Sequence, residues 1–153
     1  MSTLELKVPP DVVALAVAGL MWLVSTLTPS LVWPGSWQVP VAILLFVAGI
    51  ALIVLARVAF AKADTTFSPL APERSSRLVT TGVYRLTRNP MYLGTLLALL
   101  ALAARLSNPA AVIAALLYVA YMNHFQIRPE EGVLRDRFGP AYEAYMRTVR
   151  RWI

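Results

Sequence analysis

The chain has 153 residues, of which 58% are hydrophobic and 14% charged, with a formal net charge of +6 and a mean hydropathy of +0.63. A soluble domain of this length carries about 25% charged residues, so there is too little polar side chain to cover this one in water. That excludes most soluble enzymes, disordered tails and nucleic-acid-binding modules, and leaves an integral membrane protein. Cysteine is absent and His124 is the single histidine, which excludes disulfides, a cysteine nucleophile and a metal site built from thiolates or histidines.

In chain order, Pro9-Pro10 introduces a first apolar run over 11–27, as suits a helix start. The segment before it carries Glu5 and Lys7 without a basic cluster, and no small-residue cleavage site follows. The run is therefore expected to be retained rather than removed as a signal peptide. Residues 28–37 are uncharged and contain Trp33 and Trp37, which suits an interfacial loop. The second run, 39–61, has Arg57 as its only charge, near enough to the end for its side chain to reach the headgroups. Its length corresponds to roughly 34 Å of helix, enough to cross a hydrocarbon core of about 30 Å.

The third and fourth runs, 91–106 and 109–125, are separated only by Ser107-Asn108, a turn signal before Pro109. They predict a tight helical hairpin. The third measures only about 24 Å, so it must extend at one end or thin the bilayer locally. All 14 Lys and Arg residues except Arg105 fall toward one side of such a four-span arrangement. The positive-inside rule then puts both termini and the loop over 62–90 in the cytoplasm. Small size and an Ala-, Leu- and Arg-rich composition suit a bacterial inner membrane.

Beyond the fourth run, the tail over 130–153 places Leu134, Phe138, Tyr142, Tyr145, Val149 and Trp152 at steps of three or four, one apolar stripe on a helix. Gly139-Pro140 divides it into two short helices. The stripe fits either the cytoplasmic membrane interface or a bed on the protein's own helices. The expectation is an all-α membrane helical bundle with about four transmembrane helices, one domain over 1–153, and no internal repeat.

Two polar clusters carry the chemistry. The first is the basic segment from Ser76 to Gly94. In it Gly82 permits a positive-φ turn, and Asn89-Pro90 is a strong helix start with Asn89 able to cap the free amides. Arg85 and Arg88 would flank a helix N-terminus that favours an anionic group. Tyr92 and Gly94 would let a planar ligand approach the backbone. The second cluster is Asn123, His124, Gln126, Arg128, Glu130 and Glu131. Adjacent residues on a helix point about 100° apart, so one carboxylate can face a cationic ligand while the other pairs with arginine. The hairpin brings both clusters to one membrane face. The bland alternatives are a charged loop capping the third span and a solvated helix start.

At these residues the sequence resembles the isoprenylcysteine carboxyl methyltransferase and phosphatidylethanolamine methyltransferase superfamily of membrane enzymes. Leu78, Val79, Gly82 and Tyr84 match one motif, and Arg88, Pro90, Tyr92 and Gly94 a second. Glu130 and Glu131 match an acidic pair, and Phe138, Gly139, Tyr142 and Tyr145 a last segment. The resemblance covers about half of the chain, from Ser76 to the end. It implies a methyltransferase dependent on S-adenosylmethionine, acting on a lipid-like or prenylated acceptor that arrives from the bilayer. Leu78, Val79, Tyr84, Arg88, Asn89, Pro90, Met91 and Tyr92 would line the cofactor, and Glu130 would hold its polar end. Arg128 is a candidate for orienting an anionic acceptor. Asn89 stands where the family has histidine, and asparagine does not titrate near neutral pH. A carboxylate acceptor needs no base; for an ammonium or hydroxyl acceptor, Glu131 is the base available. No metal is implied. A reductase using NADPH and related to sterol reductases, and a non-enzymatic binding or assembly subunit, are the competing readings.

Overall fold

The structure, a computed structural model, describes residues 5–31, 36–64, 70, 72 and 75–153. Six α-helices and no strand occur among the described residues: α1 (Pro10–Leu27), α2 (Gln38–Lys62), α3 (Pro90–Leu106), α4 (Pro109–Tyr121), α5 (Arg128–Phe138) and α6 (Pro140–Thr148). Proline occupies the first or second position of every one of these except α2, where Pro40 comes third; at a free helix start its missing N–H leaves nothing unsatisfied. The four apolar helices start within one residue of the limits read from the sequence. Trp33 falls outside the described residues.

The fourth span differs at its far end. The helix does not stop at 125; a π-helical turn, Met122–Ile127, joins α4 to α5 without a break. Pro129 explains this turn. It has no N–H to offer the carbonyl one turn earlier, and its ring would clash there in a regular helix. The freed Phe125 carbonyl instead accepts the backbone N–H of Leu6 at 3.1 Å, which ties the N-terminal segment to this helix. The apolar part of the run ends at Ile127, and α5 is the charged continuation beyond it.

The helices α2 and α3 pack along each other and come close together at two glycines. A methyl group on Gly49 would lie 2.5 Å from the Gly94 carbonyl oxygen, and one on Gly94 would lie 2.5 Å from that of Gly49. Gly94 is thus a packing residue, not the ligand-facing glycine expected from its motif. Gly49 packs as expected of a small span residue, whereas Gly19 has open space around it. One core joins α1, α3 and α4 through Val13, Val17, Met21, Leu99, Ala115 and Tyr118. A second joins the end of α2 to the motif loop and α6 through Ala56, Ala59, Tyr84, Met91, Tyr142 and Tyr145.

Outside these cores the helices stay apolar: Leu15, Trp22, Leu44, Phe46, Ile113 and Leu116 are exposed. Such a surface is matched to hydrocarbon, where no water competes. Helices α1, α2 and the run from Pro109 are long and apolar enough to cross a membrane, while α3 has 17 residues. The protein is an all-α integral membrane bundle.

The hairpin turn is built as expected. Ser107 takes a left-handed conformation (φ 53°), and the Asn108 side chain accepts the N–H groups of Ala110 and Ala111 at 2.9 and 3.4 Å. The Asn108 amide also donates to the Thr28 hydroxyl at 2.9 Å, tying this end to the exit of α1. The opposite end gathers the start of α1, the end of α2, the start of α3 and the acidic pair.

The stripe of the tail turns inward. Leu134, Phe138, Tyr142, Tyr145 and Val149 pack on the second core and Trp152 on the first, so the tail lies on the protein's own helices.

Candidate active site

The motif loop is shaped by Gly82, whose φ of +61° starts a 3-10 turn over Gly82–Arg85. An L side chain is strained at that φ. The turn drives Tyr84 inward, edge-on to Phe60 of α2 with ring centroids 5.5 Å apart. The Tyr145 hydroxyl donates to the Tyr84 carbonyl at 2.6 Å, and Arg137 Nε donates to the Ser75 carbonyl at 2.6 Å. Two contacts from the tail helices therefore hold the loop against α2.

Asn89 sits at the cap position of α3, but its side chain does not cap. Its amide donates to the Arg151 carbonyl at 2.9 Å, and the expected capping role is corrected accordingly. Nor is the outer fork of Arg88 free at the helix terminus to take an anion. Its Nη1 donates to the carbonyls of Met146 and Val149, at 3.1 and 2.9 Å, and its Nη2 to Glu131 at 2.7 Å. Arg151 grips the same carboxylate from the other side, Nε to Oε1 at 3.1 Å and Nη2 to Oε2 at 2.6 Å. Burial by itself would raise the Glu131 pKa, but the two arginines outweigh it and hold the group below the usual carboxylate value.

The neighbouring Glu130 has the opposite environment. No cation pairs with it among the described residues; its Oε2 accepts the Tyr92 hydroxyl at 3.0 Å, and Gln126 Nε2 donates to that hydroxyl at 3.3 Å. Burial raises its pKa to about 7, against the pull of the Tyr92 and Gln126 hydrogen bonds and with a small push from Glu131. The two adjacent carboxylates thus split their tasks, one neutralised by arginines and one facing a polar but uncharged environment.

Between the loop, α3, α5 and α6 lies a cleft of about 700 Å³, counted out to its mouth. Leu78, Val79, Tyr84, Arg88, Asn89, Pro90, Met91, Tyr92 and Glu130, nine residues singled out from the sequence, all line it together with Glu131. Arg128 does not; it is exposed on the outer side of α5, so a role in orienting an acceptor within this cleft is not available to it. The base role given to Glu131 also changes, because a carboxylate held by two guanidiniums has lowered affinity for a proton. Phe60, Tyr142 and Tyr145 add aromatic faces. The two tyrosines belong to a motif already noted, whereas Phe60 carries no signal in the sequence beyond being apolar.

Burial raises the pKa of Tyr84, Tyr142 and Tyr145, so these phenols stay neutral. The Nε of Arg88 is buried without a hydrogen-bond partner among the described residues, an unmet donor in a residue of the cleft wall. An aromatic cleft with one unpaired carboxylate and one unmet donor can hold a cationic or zwitterionic group.

Comparison with known proteins agrees with these motifs. An uncharacterised protein of Haemophilus influenzae is 41% identical over 63 residues, 41% of this chain and all of that protein. The cobalt-zinc-cadmium resistance protein CzcN of Cupriavidus metallidurans is 30% identical over 115 residues, 75% of this chain and 50% of that protein. A "Probable protein-S-isoprenylcysteine O-methyltransferase" of Oryza sativa subsp. indica is 38% identical over 77 residues, 50% of this chain and 40% of that protein. The chain spans half or less of the length of the last two. The model of the phospholipid methyltransferase family matches residues 37–141. That match takes in α2, the motif loop, the hairpin and the acidic pair, more than half of the chain, and the protein belongs to the phospholipid methyltransferase family.

Proposed function

We propose that this protein is a membrane methyltransferase that binds S-adenosylmethionine in the cleft and transfers its methyl group to a lipid-like or isoprenoid acceptor. The observation that carries the reading is Glu130, a carboxylate without a cationic partner among the described residues, set in an aromatic cleft beside a neutralised twin. Family membership favours this reading over a reductase using NADPH or a non-enzymatic subunit.

The residues present fit the cofactor. Its ammonium suits Glu130, and its carboxylate suits the unmet Nε of Arg88. Its sulfonium suits the faces of Tyr84, Tyr92 and Tyr142, since aromatic rings attract cations. Leu78, Val79 and Met91 offer apolar walls to a flat base. When bound, the cofactor supplies an electrophilic methyl group.

The chain's own contribution is to bind, align and keep dry. Burial of the cleft strengthens the pairing of Glu130 with a cation. Its carboxylate, once ionised by that pairing, fixes the long axis of the ligand. Glu131, held by Arg88 and Arg151, keeps the first turn of α5 turned so that Glu130 faces inward. Much of the rate then comes from holding an acceptor in line with the methyl group in a water-poor site. The acceptor is a carboxylate, amine or hydroxyl on a hydrophobic molecule entering from the bilayer. By the positive-inside rule the cleft faces the cytoplasm, in a bacterial inner membrane.

The test is calorimetry of S-adenosylmethionine and S-adenosylhomocysteine on detergent-purified protein, with Tyr92→Ala, Glu130→Ala and a parallel NADPH titration. Micromolar binding, about −8 kcal/mol, lost in both variants is the expected result. It would direct a screen of labelled methyl transfer into lipid extracts. A folded wild type that binds neither adenosyl compound sinks the proposal, and NADPH binding instead would favour the reductase.

A further inference from the structure

The last residues of the chain are not a loose end. After α6 the backbone extends at Val149 (φ −123°, ψ 131°) and runs beside the motif loop. Arg88 N–H donates to the Arg150 carbonyl at 2.9 Å; the Thr87 hydroxyl and the Asn89 amide both donate to the Arg151 carbonyl, at 3.1 and 2.9 Å. Trp152 Nε1 donates to Asn123 Oδ1 at 3.1 Å, and Arg151 Nη1 reaches the same oxygen at 3.4 Å. The segment is a strap fastened to the loop on one side and to the π-helical turn on the other.

From this strap one side chain reaches the wall of the cleft. We infer that Arg151 is a positioning residue of the site, setting the direction of Glu130 through its two-pronged grip on Glu131. Both Glu131 oxygens are engaged by Arg151, while Arg88 engages one. Arg88 could be satisfied by the Met146 and Val149 carbonyls even if Glu131 turned away. Among the described residues Arg151 has no such substitute: its other side-chain hydrogen bond is the long one to Asn123. The rotation of the first turn of α5, and with it the aim of Glu130 into the cleft, therefore depends on the strap. A guanidinium suits this task because its fork matches both carboxylate oxygens at once.

The inference rests on the reading of the cleft as the adenosyl site, and one titration separates the two. Binding of S-adenosylhomocysteine to the full chain in detergent is measured by calorimetry, with thermal unfolding in the same detergent. Arg151→Gln is expected to weaken binding about tenfold or more, as for loss of a two-pronged charged contact. Arg151→Lys, which restores charge without the fork, should recover part of the loss. Arg147→Gln, a neutralised exposed arginine of α6, should bind as wild type. The double variant Glu131→Gln/Arg151→Gln should bind no more weakly than Glu131→Gln alone, because both remove the same pair.

Wild-type affinity in folded Arg151→Gln, equal weakening by Arg147→Gln, or additive losses in the double variant would each overturn the inference. If Arg151→Gln does not fold, Arg151→Lys decides: several-fold weakening at an unchanged unfolding temperature supports the inference, and wild-type affinity overturns it. A wild type that does not bind the compound overturns the reading of the cleft and this inference together.

Discussion

The Tyr92 hydroxyl donates to the Glu130 carboxylate at 3.0 Å and accepts the Gln126 amide at 3.3 Å. One phenol thus links the first turn of α3, the π-helical turn and the first turn of α5. Tyr92→Phe keeps the ring and removes the hydroxyl, so Glu130 loses one donor and the buried Gln126 amide loses one acceptor. A loss of about 1–3 kcal/mol of stability is expected, read from unfolding in detergent. Because this hydrogen bond lowers the Glu130 pKa, the variant should also shift the Glu130 titration to higher pH.

On the proposed reading of the cleft, Glu130 should make both stability and ligand binding depend on pH, in opposite directions. Its carboxyl is raised to about 7, so between the ordinary carboxylate value and 7 the folded state holds the proton more tightly than the unfolded chain. Stability of the free protein should be fullest below that window and fall as pH rises through it. A cationic ligand favours the ionised carboxylate, so affinity should rise with pH up to about 7, by at most about tenfold per unit. Glu130→Gln should flatten both curves. A pH-independent affinity in wild type would show that Glu130 does not meet the ligand's charge.

Neighbouring substitutions in the acidic pair should separate stability from binding. Glu131→Gln leaves Arg88 and Arg151 without their shared anion; for a fully buried pair that costs about 3–5 kcal/mol. The loss should be smaller here because the Arg151 side chain is 29% exposed. Glu130→Gln removes a carboxylate that has no cation among the described residues, so stability above pH 7 should hold or improve while adenosyl binding fails. Unfolding and calorimetry on the same preparations test both.

Gly49 and Gly94 should tolerate no side chain. Either alanine places a methyl carbon 2.5 Å from a backbone oxygen of the facing helix, which backbone movement must relieve at a cost of about 1–3 kcal/mol. Gly19→Ala meets nothing within 4 Å and should be neutral, or stabilising by up to about 1 kcal/mol through helix propensity. Unfolding temperatures of the three variants in one detergent check the contrast.

The spans, the hairpin turn and the two polar clusters were legible in the sequence because each rests on local rules. Apolar length marks a span, proline and asparagine mark a helix start, and glycine marks the turn at position 82. The limits of α1, α2 and α3 followed directly. The fourth helix ran on past 125 because its proline is accommodated from outside the helix, by the Leu6 N–H on the Phe125 carbonyl. No local pattern carries a contact between residues so far apart.

By itself, the sequence determined that the chain enters a membrane, that its basic loop and acidic pair share one face, and which motif residues are candidates for one site. Only the tertiary structure decided how those residues divide the work. Glu130 and Glu131 are identical neighbours, and nothing local says which one an arginine from the end of the chain will reach. Gly94 looked like a ligand-facing glycine until α2 was laid against it, and Arg128 looked available until the helix turned it outward. Charge and periodicity are properties of a segment, whereas burial and pairing are set by what distant segments bring to it.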